Sequence, residues 1–257
     1  MNFKTINPNN SISQFVKNIL VFEEQVDNQN TVLPFFADGY PGLIFQEAEN
    51  GLVVSPHNKK MPFLFLYGQT IKPIELHFKG SYKLIIFQLF PFVLKSFFNI
   101  TARDINDGCY DLTELPSGAK MGQLLIKNKD FGKRIDAITN FLFDIFQIKK
   151  EKLDLTIKQA IQLILNYKGK MAILEICKTL NITQRTFERR FLKEIGILPK
   201  QFSQIIQFQQ SLEQLTLKDY TKLTDIVYAN GFSDQSHFIK VFKAFTGKTP
   251  KNFTSKK

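Results

Sequence analysis

With 257 residues, 44% of them hydrophobic, the chain has length for two compact domains and too much apolar content for a disordered tail. Its two cysteines, Cys109 and Cys177, lie far apart, the start is polar without a secretory leader, and no run is long and apolar enough to span a bilayer. The expected setting is therefore a reducing cytoplasm, with no membrane partner and no disulfide framework. The net charge of +11 is unevenly placed: residues 1–150 carry 16 Lys and Arg against 14 acids, and residues 151–257 carry 18 against 9. A neutral half joined to a basic half suggests that one domain meets a polyanion, and on charge alone duplex DNA, RNA and an acidic membrane surface all fit.

In chain order, the first hundred residues read as β-structure. Gly42–Gln46, Leu52–Ser55, Pro62–Tyr67, Ile74–Phe78 and Tyr82–Phe90 are rich in Ile, Leu, Val and Phe, and Asp38-Gly39, Pro41-Gly42, Asn50-Gly51 and Lys79-Gly80-Ser81 punctuate them. Two hairpins are expected, near Asn50-Gly51 and near Gly80, within a sandwich or barrel. A short helix over Phe92–Phe98 follows Pro91. Residues 130–148 form a longer helix on which Phe131, Ile135, Ile138, Leu142 and Ile145 make a seam, widened by Phe141, Phe143 and Phe146. That seam fits a helix buried against its own β-domain or a dimerisation helix. Beyond the charged Lys149–Lys152 connection, Asp154 can cap a helix that runs to about Tyr167 and ends at Gly169. The expected class is α+β: a β-rich regulatory domain over 1–117, a helical linker or dimerisation region over 118–150, and an all-α domain over 151–257.

That last region contains one unit twice. At an offset of 51, Gln184, Phe187, Phe191, Gly196, Pro199, Lys200 and Phe202 fall on Gln235, Phe238, Phe242, Gly247, Pro250, Lys251 and Phe253. At an offset of 50, Glu175, Ile176, Asn181, Ile182 and Thr183 fall on Asp225, Ile226, Gly231, Phe232 and Ser233. Each copy has the pattern of a helix-turn-helix: a short apolar helix (Ala172–Leu180; Leu223–Ala229), a residue tolerant of left-handed backbone, an apolar plug, and a cap for a second helix (Thr183; Ser233 or Asp234). At about 100° per residue, Phe187 and Phe191 share one side of the second helix and Arg185 and Arg189 the other, with Ser236 and Lys240 in those places in the second copy. Guanidinium forks fit the O6/N7 edge of guanine, and a carboxylate such as Glu188 can accept from a cytosine amine. A solvated helix face is the plainer reading of one such helix; two copies in the basic half favour duplex DNA. The residues expected to face it are Thr183, Gln184, Arg185, Glu188, Arg189 and Lys200 in the first unit. In the second they are Ser233, Gln235, Ser236, His237, Lys240 and Lys251.

These residues resemble the AraC/XylS family of transcriptional regulators. LTDIVYANGFSDQSHFIKVFKAFTGKTPKNF is similar to that family's C-terminal signature, through Gly231-Phe232, Ser236-His237-Phe238, Phe242-Lys243, Gly247 and Thr249-Pro250. LEICKTLNITQRTFERRFLKEIGILPKQF resembles its first helix-turn-helix, through Thr183, Arg185-Thr186-Phe187, Arg189-Arg190-Phe191, Gly196 and Pro199. The likeness covers about 154–253. It departs at Lys240, where the family often has Arg, and at Gln207–Ser211, where relatives are often basic. The resemblance implies seven helices, a long one over about Lys200–Leu217 holding two units apart for successive major grooves, and RNA polymerase as a further partner. The stretch from Phe63 through GQTIKPIELHF to LIIFQLFP has a weaker likeness to a β-rich domain that senses a small-molecule effector or forms a homodimer. An enzymatic β-domain and a pure dimer scaffold are the alternatives.

No catalytic, metal or cofactor site is expected. His57 and His77 are twenty residues apart without a third ligand, and His237 belongs to the DNA face. Cys109 reads as packing, and Cys177, matching Val227 in the repeat, as core.

Overall fold

Residues 82–89, YKLIIFQL, are apolar at nearly every position, and such a run needs cover on both faces. The computed structural model, which describes residues 2–25, 29–56 and 58–255, provides it. Among the described residues ten strands form two antiparallel sheets. The larger has the order β1 (Asn2–Ile6), β2 (Val16–Glu24), β9 (Tyr82–Leu89), β4 (Gly42–Ala48), β7 (Leu64–Tyr67) and β10 (Cys109–Asp111). The smaller has β3 (Asn30–Phe35), β8 (Ile74–Lys79), β5 (Leu52–Ser55) and β6 (Lys59–Met61). Leu84 and Ile86 join Ile44 and Phe65 under the smaller sheet. Ile85 and Phe87 join Leu43, Phe45 and Leu66 under the helices. Pro34 lacks a backbone donor and sits on edge strand β3.

Neither expected hairpin forms. β4 pairs with β7 and β9, whereas β5 pairs with β6 and β8, so the Asn50-Gly51 turn carries the chain from one sheet to the other. The Gly80 turn does the same between β8 and β9. The two turns lie side by side, with Ala48 opposite Tyr82 before the fold and Leu52 opposite Phe78 after it. Asn50 Nδ2 donates to the Lys79 carbonyl at 3.0 Å and Glu49 N to the Ser81 carbonyl at 3.1 Å. Gly51 and Gly80, at φ +81° and +82°, let both strands bend at that corner. Gly-rich turn chemistry serves a bend and a reversal equally.

Helices α1 (Val93–Phe98), α2 (Pro116–Lys127) and α3 (Phe131–Lys149) follow the strands, with a 3-10 turn over Ala102–Ile105. The α3 seam faces inward: Ile138, Leu142 and Phe146 are buried, and Phe131, Ile135 and Ile145 pack against the same core. Phe146 stacks on Phe15 with ring centres 4.2 Å apart. Arg134, 2% exposed, fixes α3 to β4. Its guanidinium makes a bidentate pair with Glu47 at 2.5 and 2.6 Å, its Nε donates to the Leu125 carbonyl at 3.1 Å, and it lies over the Phe45 ring.

The rest is helical: α4 (Leu155–Asn166), α5 (Ile173–Thr179), α6 (Gln184–Ile195), α7 (Pro199–Leu217), α8 (Leu223–Ala229), α9 (Gln235–Thr246) and α10 (Pro250–Thr254). Asp154 caps α4 through Ile157 N. One apolar cluster runs from the larger sheet through α1 and residues 102–105 into this region. Gly39 packs on Phe202 and Ile206 of α7, Gln209 donates to the Ala37 carbonyl, and Asn106 Nδ2 donates to the Gly196 carbonyl at 2.9 Å. Among the described residues no helix is long and apolar enough to cross a membrane.

Candidate nucleic-acid interface

The turns of the two units are built by the same hydrogen bonds. Leu180, Asn181 and Ile182 donate to the carbonyls of Ile176, Lys178 and Cys177; fifty residues on, Asn230, Gly231 and Phe232 donate to Ile226, Tyr228 and Val227. Asn181 and Gly231 both have positive φ, +49° and +76°, which turns the chain sharply enough to start a second helix across the first. Thr183 caps α6 by accepting from Thr186 N at 3.4 Å. Asp234, not Ser233, caps α9, accepting from His237 N at 2.8 Å while Ser233 Oγ donates to its other oxygen. Those bonds, the His237 amide first, hold the Asp234 carboxyl below its ordinary range. The second unit thus opens its helix with an ionised carboxylate where the first has a neutral hydroxyl.

Both second helices rest on repeated aromatic triplets. Phe187 and Phe191 meet edge to face at 5.5 Å, and Phe191 contacts Phe202; Phe238 and Phe242 meet at 5.6 Å, and Phe242 contacts Phe253. Phe187, Phe191, Phe238 and Phe242 are fully buried. Burying a phenylalanine is worth roughly 1.5–3 kcal/mol, so each helix is held firmly from beneath. Cys177 is buried within the first unit, and its thiol is pushed up by burial.

Opposite the aromatics, Thr183, Gln184, Arg185 and Arg189 are exposed on the first unit, with Lys200 exposed at the start of α7. Glu188 is half-buried and accepts from Gln184 Nε2 at 2.8 Å. On the second unit Ser233, Gln235, Ser236, Lys240 and Lys251 are exposed. His237 is half-buried, its Nδ1 3.2 Å from Ser233 Oγ and its ring edge-on to Phe232. Arg190, adjacent to Arg189, points the other way and forms an ion pair with Asp154, Nε to Oδ2 at 2.9 Å. That side chain is structural, and the sequence separated it from Arg189 only by helix phase.

Of the remaining histidines and cysteines, His57 lies outside the described residues, His77 sits on β8 beside Glu75, and Cys109 Sγ is 3.8 Å from Met61 Sδ. Between the two sheets lies a cavity of about 260 Å³. Phe35, Ile44, Phe65 and Leu76 are among its apolar walls, and Lys59, Thr70 and Asp107 are polar members. Composition alone pointed to no such space.

Residues 176–256 match the model of a helix-turn-helix domain, and residues 4–111 match a domain of unknown function (DUF6597). The HTH-type transcriptional activator RhaS of Yersinia pestis is 28% identical over 90 residues, covering 35% of this chain and 33% of RhaS. The C-terminal region is a helix-turn-helix domain. An uncharacterized HTH-type transcriptional regulator of Staphylococcus aureus is 27% identical over 89 residues, 35% of this chain and 12% of that protein. The chain thus spans a third or less of the length of these relatives. Among solved structures, ToxT from Vibrio cholerae is similar with a TM-score of 0.49 and 14% identity, covering 99% of this chain and 98% of ToxT. The C-terminal domain of AraT, a response regulator from Geobacillus stearothermophilus, gives 0.37 at 20% identity, over 40% of this chain and 85% of that one.

Proposed function

We propose that the chain is a sequence-specific transcriptional regulator that grips duplex DNA with both AraC/XylS-type units, placing α6 and α9 in adjacent major grooves. The observation that carries this reading is the pair of matched turns, each presenting an exposed polar face backed by buried phenylalanines. Arg185 and Arg189 read base edges from α6, and Gln235, Ser236 and Lys240 occupy the corresponding face of α9. Thr183, Gln184, Glu188, Ser233 and His237 flank those faces, while Lys200 and Lys251 meet phosphates. α7, 19 residues long, spans about 28 Å at ~1.5 Å per residue, near the ~34 Å between successive grooves. The first unit dominates affinity, because it presents two guanidinium forks, Arg185 and Arg189, where the second has Ser236 and Lys240. Footprinting with the full chain tests the reading: two protected segments about one helical turn apart, lost with Arg185→Ala plus Arg189→Ala. Protection indifferent to both changes rejects this reading face.

The assignment of 1–117 to regulation, 118–150 to linkage and 151–257 to DNA belongs to the same proposal. So do the absence of a catalytic step, a cytoplasmic setting, contact with RNA polymerase, and a second copy of the chain as partner. The inter-sheet cavity supports an effector role for the β-half: its walls suit a small, largely apolar molecule with one polar end. Thermal-shift screening of such molecules against wild type and Leu76→Trp tests this, since the larger ring fills the space. A stabilising compound equally effective on both proteins places the site elsewhere.

A further inference from the structure

Because the two units are copies, the positions where they differ report what each one meets. Leu180 and Asn181 of the first become Asn230 and Gly231 in the second. Asn181 holds its positive φ with an exposed side chain. At Gly231 the neighbours stand closer: a Cβ would lie 3.0 Å from Lys170 Cγ and 3.2 Å from Gln207 Nε2, so one of those side chains would have to give by a few tenths of an ångström.

Lys170 belongs to the turn that leads into α5 of the first unit, and its Nζ donates to the Ala229 carbonyl of the second at 3.0 Å. That turn lies against α7, since a Cβ on Gly169 would be 2.4 Å from the Ser203 carbonyl. Gln207 Nε2 on α7 donates to the Gly231 carbonyl at 3.5 Å. Asn230 is buried where Leu180 is half-buried, and its Nδ2 donates to Gln214 Oε1 at 2.6 Å and to the Ile226 carbonyl at 2.8 Å. Three parts therefore meet at one place: the entry to the first unit, the linking helix and the turn of the second unit.

We infer that Lys170, Gln207, Gln214 and the Asn230-Gly231 turn form a joint that fixes α9 relative to α6, so that the protein accepts a single spacing between its two half-sites. The inference rests on the proposed two-unit grip. Inserting one base pair moves a half-site by ~3.4 Å and rotates it by ~35°, a change that a helix locked at its turn cannot follow without losing base contacts. The glutamines of α7 thus face inward to partners: Gln207 and Gln214 bind the second unit, and Gln209 binds the β-half.

The test uses the full chain and duplexes it selects from a random pool, with one or two base pairs inserted between the protected segments. Wild type should lose about tenfold or more in affinity on insertion, the scale of a lost base contact. Gly231→Asn keeps a residue suited to the left-handed turn but sets a Cβ against Lys170 and Gln207; Gln214→Ala removes the partner of Asn230 and leaves the turn intact. Both should bind the parent duplex within a few-fold of wild type and lose less than about threefold on insertion, whereas Asn181→Gly should behave as wild type. Retention of the full insertion penalty by both variants overturns the joint. A wild type that protects one segment instead refutes the two-unit grip. In that case spin labels at Lys193→Cys and Lys243→Cys, with Cys109→Ser and Cys177→Val, still decide the matter. Gln214→Ala should broaden the label-to-label distance, and an unchanged distribution overturns the joint without reference to DNA.

Discussion

Asp38 lies in the loop that carries the β-half onto α7, and burial raises its carboxyl from 3.8 to about 6, against the opposing pull of hydrogen bonds from Tyr40 N and Gln88 Nε2. In the same pocket Tyr40 and Tyr67 are raised, mainly by their own burial and then by the Asp38 charge. A carboxyl whose folded pKa exceeds its unfolded value binds its proton more tightly when folded, so its contribution is fullest at low pH and is lost as pH rises through both values. From 3.8 to about 6, at ~1.36 kcal/mol per pH unit, the whole effect is about 3 kcal/mol, of which about 2 falls between pH 4 and pH 7. Asp38→Asn removes the titration. Its Oδ1 still accepts from Tyr40 N, and turning the Gln88 and Asn18 amides restores the chain of bonds in which Asn18 Nδ2 now donates to Gln88 Oε1. Urea midpoints for both proteins, followed by tyrosine fluorescence and circular dichroism from pH 4 to 7, should diverge as pH rises, the variant gaining about 2 kcal/mol on wild type across that range. Parallel curves from pH 4 to 7 refute the argument.

In DNA binding, Arg189→Ala should cost about 1–3 kcal/mol and relax sequence discrimination in competition assays, whereas Lys200→Ala should weaken all duplexes alike and lower the salt slope by about 1. Phe187→Ala and Phe238→Ala should each lose about 3–5 kcal/mol of stability in urea titrations; a loss under about 1 kcal/mol at either would contradict its placement in the core. The Arg134–Glu47 pair should be asymmetric. Glu47→Gln leaves a guanidinium that is 2% exposed without its counter-charge and should cost about 3–5 kcal/mol, and Arg134→Met should cost less, because Glu47 is 45% exposed; equal losses by calorimetry would count against this account.

The helix-turn-helix units were legible because their determinants are local: a phenylalanine every four residues, a left-handed turn residue and a cap recur at fixed spacing. Placement of the α3 seam was open, since an apolar stripe states that it is covered but not by what; Phe15 and the larger sheet supply the cover. The β-region was legible in its strands and misread in its connections. Asn50-Gly51 and Gly80 carry hairpin chemistry, yet strand partners come from far along the chain, as with Val16 of β2 opposite Leu89 of β9. Asp234 rather than Ser233 as the cap, and Arg190 turned toward Asp154 rather than outward with Arg189, depend on helix phase at the level of one residue.

Gly196 closes α6 within the β-half: a Cβ there would be 2.7 Å from the backbone of Ala102 and Arg103, and its carbonyl takes the Asn106 amide. The helix proposed to read bases is therefore finished off by residues ninety positions upstream. Exchange of the front half for an unrelated sensor, a common route by which modular regulators diversify, would leave that carbonyl and its glycine notch without their counterpart. Recombinants joined near position 150 need matching changes around 102–106 or 195–197, which makes the two halves of this chain co-tailored pieces rather than interchangeable parts.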